Sequence, residues 1–110
     1  MTTQFKTLPA PILENREGQA LPDNKISVSK NSAGVVIKVD TTPFTQGIKL
    51  TAHFSVINGV DWSEFKLVVG TELKFILDNA SFKLHAGKTA TIKYSIESND
   101  SEVVVAPIVE

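Results

Sequence analysis

The chain contains no cysteine, which excludes disulfides and thiolate metal sites outright. Aromatic residues are few, with one tryptophan, one tyrosine and six phenylalanines. A broad aromatic platform for stacking sugars or bases therefore has little material to draw on. Neither sign of charge dominates: 11 basic side chains stand against 12 acidic ones, for a formal net charge of −1. Without a concentrated basic surface there is no electrostatic case for nucleic acid or an anionic membrane as partner. No run approaches the ~20 apolar residues of a membrane-spanning helix, so membrane insertion is not expected. The opening Met1–Lys6 lacks a charged segment followed by an apolar one, and so does not read as a signal peptide.

Signals of catalysis are missing as well. His53 and His85 have no partners at metal-binding or general-base spacing. No Gly-x-Ser-x-Gly elbow occurs, and no two carboxylates are marked as an acid–base pair. The glycines are isolated turn residues rather than a phosphate loop, and Ser98–Glu102 is too sparse in acids for a calcium loop. These patterns lead to the expectation of a non-enzymatic chain with no catalytic residue, no metal and no cofactor.

What the sequence does carry is alternation. From Ile48 to Val56 every second residue is apolar (Ile48, Leu50, Ala52, Phe54, Val56). Strand side chains point alternately to opposite faces, so these five form one buried row and Lys49, Thr51, His53 and Ser55 face the other way. The same period places Val35, Ile37 and Val39 in a row, then Leu73, Phe75 and Leu77, then Ala90, Ile92, Tyr94 and Ile96. Shorter rows are Ile26 with Val28, Phe65 with Leu67 and Val69, and Phe82 with Leu84; Val103–Val109 supplies a terminal strand. Turn chemistry separates the runs, at Asn31–Gly34, Thr41–Pro43, Asn58–Gly59, Ala86–Gly87 and Ser98–Ser101. No helix of three turns is visible. Short strands with frequent turns predict an all-β antiparallel sandwich of about seven strands in a single domain. The domain is expected to span 12–110, after an N-terminal linker or edge segment, 1–11, whose Pro9 and Pro11 lack ladder donors.

Several segments together resemble the immunoglobulin-like modules repeated in large bacterial surface and secreted proteins of the adhesin type. Leu8–Glu14 with Gly18 is similar to their proline-rich start, and Gly47–Phe54 to their central strand. Gly70–Ile76 looks like the strand that follows, Ala90–Ile96 like the late strand that holds a tyrosine, and Ser101–Val109 like the closing one. The resemblance implies a spacer or adhesive module at an extracellular or cell-surface location, with no family catalytic residue to carry over.

One constellation points to a contact site. If Asn58–Gly59 is a two-residue hairpin loop, Ile57 faces Val60 and Ser55 faces Trp62. Trp62 then lies on the face opposite Phe54, exposed among apolar neighbours, and Ile57, Asn58, Val60, Asp61 and Trp62 form a candidate binding surface. A bulge or longer loop shifts the register by one residue and returns Trp62 to the core. The expected function is an interaction or spacer module with a protein partner, and the alternative is a carbohydrate-binding module that uses Trp62 beside the turn. Neighbouring modules and weak self-association are further partners that an open sandwich edge admits.

Overall fold

The computed structural model describes residues 8–97 and 99–110. The Ile48–Val56 alternation becomes the central strand β4 (Lys49–Val56), with Leu50, Ala52, Phe54 and Val56 all buried. Eight further strands lie among the described residues: β1 (Ile12–Asn15), β2 (Ile26–Ser27), β3 (Val35–Asp40), β5 (Asp61–Leu67), β6 (Glu72–Leu77), β7 (Thr89–Ile96), β8 (Asn99–Asp100) and β9 (Val104–Val109).

The strands form two sheets. The smaller has the order β1-β3-β6 and is antiparallel throughout. The larger runs β2-β9-β7-β4-β5, with the short β8 paired to β7. Within it β2 lies parallel to β9, and the other pairings are antiparallel. The inward rows pack together as one all-β core. Leu13, Ile37 and Phe75 lie side by side across the smaller sheet, while Val104, Ile92 and Phe54 do so across the larger. Tyr94 is buried on β7, with Phe44 edge-on to its ring at 6.2 Å between centroids. Desolvation, and then the charge of Asp40, raises the pKa of its phenol.

The N-terminal segment enters along the sandwich rather than apart from it. Leu8 bridges Ser101 and accepts a hydrogen bond from the Glu102 N–H at 2.9 Å, and Pro11 is buried. Residues 1–7 of the expected linker lie outside the described residues.

Two expected rows differ, and the terminal strand gains a defined inward face. Phe65, Leu67 and Val69 are not buried: they are 58%, 53% and 71% exposed, and Val68 between them is fully buried. Phe82 and Leu84 do not share a strand face, because Asn79–Ser81 and Lys83–His85 form two single 3-10 turns. A three-residue helical period turns Leu84 away from the core that Phe82 enters. In the terminal strand the inward residues are Val104, Ala106 and Ile108, whereas Val103 and Val105 face out.

The larger sheet is wider than the smaller, so β5 overhangs it. Lys66, on the inward side of β5, closes this open flank. Its Nζ donates to the Lys74 carbonyl of β6 at 2.7 Å and sits 5.3 Å from the Phe75 ring centroid. Two of the four phenylalanine positions that the sequence sets in apolar rows, Phe54 and Phe65, can now be told apart. Phe54→Ala should destabilise the fold by about 3–5 kcal/mol in chemical denaturation, as loss of a buried aromatic does. Phe65→Ala should cost no more than about 1 kcal/mol, the scale of an exposed side chain with one cation–π contact. Equal losses at the two positions would contradict the placement of Phe65 on the outside.

Candidate functional site

The β4–β5 hairpin closes through three residues rather than two. The Val56 N–H donates to the Val60 carbonyl at 2.8 Å, and the Gly59 N–H donates to the Val56 carbonyl at 2.9 Å. Ile57, Asn58 and Gly59 form the loop. Asn58 takes the left-handed conformation (φ 59°) at the turn corner, where asparagine is tolerated. Gly59 matters for a different reason, the close packing of its α-carbon. A Cβ there would lie 3.0 Å from His85 Cε1 and 3.1 Å from Val56 Cγ1, so any larger residue would push the His85 ring back by a few tenths of an ångström.

The odd loop length selects between the two registers that the sequence left open, and it selects the one shifted by a residue. Phe54, not Ser55, stands opposite Trp62, and Ser55 stands opposite Asp61. Because directly opposed residues share a sheet face, Trp62 turns to the same side as Phe54 and packs, half-buried, against the core. Val60 is likewise half-buried against it. Asp61 is exposed on the outer face, where its carboxylate accepts from Ser55 Oγ at 2.6 Å. Ile57, 79% exposed, and Asn58 project at the loop itself. The five expected site residues thus divide between the tip (Ile57, Asn58), the outer face (Asp61) and the core side (Val60, Trp62).

Two other residues join the tip. Packing of His85 against Gly59 brings Lys83–His85 to the same end of the sandwich, where Leu84 is 84% exposed. Nδ1 of His85 is buried there without a hydrogen-bond partner among the described residues. Ile57 and Leu84 are therefore two large apolar side chains held out at one end. Nothing in the period-two pattern marks Leu84, because it sits in the very row that the 3-10 turn breaks.

The outer face of the larger sheet is polar near its centre. His53 Nε2 and Ser95 Oγ are 3.1 Å apart, Lys93 Nζ pairs with Asp100 at 3.0 Å, and Ser63 lies opposite His53. A shallow depression runs over His53, Ser55, Asp61, Ser63 and Lys93 at the edge of Trp62. Among the described residues, no three His, Asp or Glu side chains gather in a way that would hold a metal ion.

No family model matches this chain, and no curated protein or solved structure is found to be similar to it. The functional reading rests on the geometry of the tip, the outer face and the strand order.

His53 supplies a pH test of that geometry. Desolvation lowers its pKa, Lys93 lowers it further, and Asp100 opposes both. A depressed folded-state value means that the unfolded chain takes up the proton first. Stability should therefore be lost as pH falls through the usual histidine range towards the lower folded value, and be unaffected above it. Denaturation midpoints for wild type and His53→Gln, taken from about pH 7.5 to about pH 5, check this. The drop on acidification should be smaller in the variant, and identical drops would contradict the assigned environment.

Proposed function

We propose that the chain is a non-catalytic immunoglobulin-like interaction or spacer module of the kind found in bacterial surface or secreted proteins. Strand order supports the architectural part of this reading. The first, third and sixth strands form one sheet, and the fourth, fifth, seventh and ninth lie together in the other, an interleaving typical of immunoglobulin-like sandwiches. The buried Tyr94 on the late strand fits the same pattern.

The observation that carries the interaction part is the pair of exposed apolar side chains, Ile57 and Leu84, presented at one end by the Gly59–His85 contact. Loops at the ends of a sandwich are displayed by a rigid scaffold, and apolar groups held out there suit a protein partner or an adjoining module. The glycan alternative relies on the open ring face of Trp62, and the half-buried position of that residue against Phe54 favours it less. What still speaks for it is the polar depression beside Trp62.

Arrays of proteins and of glycans, probed with wild type and with the double variant Ile57→Ser/Leu84→Ser, test this reading. The expected result is a protein ligand bound by wild type and lost by the double variant, whose melting temperature stays within a few degrees of wild type. A ligand bound equally by both, or a glycan displaced by free sugar, would overturn the tip as the binding surface. Absence of any ligand would overturn the interaction role and favour the spacer.

A further inference from the structure

Among the described residues the sandwich has four sheet edges, which differ in how far each is covered. β1 is covered by its own continuation: the Leu21 N–H donates to the Leu13 carbonyl, and Glu14 bridges Ala20. β2 is two residues long. β6 is six residues long and paired on one side, with the Lys66 ammonium set on its Lys74 carbonyl at the middle of the open side. The fourth edge, β5, is seven residues long and has β4 on one side only.

The hydrogen-bond phase shows which groups this edge offers. Val60 and Val68 bond to β4 through Val56 and Ile48, and antiparallel bonding alternates along a strand. Trp62, Glu64 and Lys66 therefore direct their backbone groups towards β4. Asp61, Ser63, Phe65 and Leu67 direct theirs outward, to the open side. The same four carry the outer-face side chains, among them the exposed Phe65 and Leu67.

We propose that this edge pairs with β5 of a second copy of the chain, antiparallel about a two-fold axis at Phe65. Charge selects the register. Centred on Phe65, Glu64 of each copy faces Lys66 of the other, twice over, at positions where opposed side chains lie closest. Phe65 meets Phe65 across the axis on the outer face, Ser63 meets Leu67, and Trp62 meets Val68. Moving the axis to Glu64 sets two carboxylates against each other, and moving it to Lys66 opposes two ammonium groups. Lys66 can serve both contacts, since an ammonium has three donors and the Lys74 carbonyl takes one. The dimer is closed, because a two-fold contact uses the same β5 edge of both copies. This pairing is independent of the tip as a binding surface, since it uses a different part of the sandwich.

Sedimentation equilibrium of wild type, loaded from about 10 µM to about 1 mM, should show the weight-average mass rising towards twice the monomer value. Glu64→Lys changes an exposed side chain, and it should remain monomeric over the same range. Lys66→Glu, with its fold checked by circular dichroism, should also be monomeric alone. Mixed in equal amounts, the two variants should form a heterodimer. Phe65→Cys gives a second readout in this cysteine-free chain: opposed Cα atoms about 5.5 Å apart on the axis suit a disulfide, so oxidation should link two copies. Ser63→Cys, which faces Leu67 rather than itself, should not link. A wild type that is monomeric at every loading, a Glu64→Lys variant that dimerises as wild type does, or equal linking of the two cysteine variants would overturn the proposal.

Discussion

The three-residue closure of the β4–β5 hairpin sets the direction of every side chain on β5, the longest edge strand among the described residues. Strand side chains have a period of two, so a single residue more or less in the loop exchanges the two faces of β5. The strand and its continuation hold apolar residues of both parities: Trp62 and Val68 on one, Phe65, Leu67 and Val69 on the other. Only one set can face the core. The observed register seats Trp62 beside Phe54 and buries Val68. It leaves Phe65 and Leu67 outside and turns Glu64 and Lys66 inward. The inward charges are tolerated because β5 overhangs the narrower sheet, where Lys66 reaches the β6 edge and Glu64 stays exposed. Inward-pointing charge on an edge strand also discourages indiscriminate sheet extension.

Much of the fold was legible from periodicity because the central strands meet one simple demand. β3, β4, β6 and β7 each have neighbours on both sides or an opposing sheet beneath them, so burial follows the pleat and alternation reports it. β5 has no such single demand, and its mixed parity left two readings that only the loop count could separate. The segment around Phe82 and Leu84 misled for a related reason. Two apolar residues at a spacing of two fit a strand, yet three-residue 3-10 turns occupy that stretch. The two-residue β2 and β8 owe their pairing to β9 and β7, and no local pattern of that length could announce them.

The candidate site followed the same division. Asn58 was legible because a turn signal places it at a loop, whereas Ile57 was expected in the ladder opposite Val60 and joins the loop only through the three-residue closure. The orientation of Val60, Asp61 and Trp62 was not, since it depends on loop length. Leu84 and His85 became part of the tip only through a tertiary contact, the close approach of His85 to Gly59. Between them, the two ends of the β4–β5 hairpin's influence shape the surface: its loop builds the tip, and its register determines what the open edge displays.

Cross-strand Hα–Hα Overhauser effects in the β4–β5 hairpin test this account most directly, because only non-hydrogen-bonded antiparallel pairs bring two Hα atoms close. The three-residue closure predicts strong cross-peaks between Ser55 and Asp61, His53 and Ser63, and Thr51 and Phe65. Cross-peaks displaced by one residue, joining Val56 with Asp61 or Phe54 with Ser63, would contradict it and return Trp62 to the outer face.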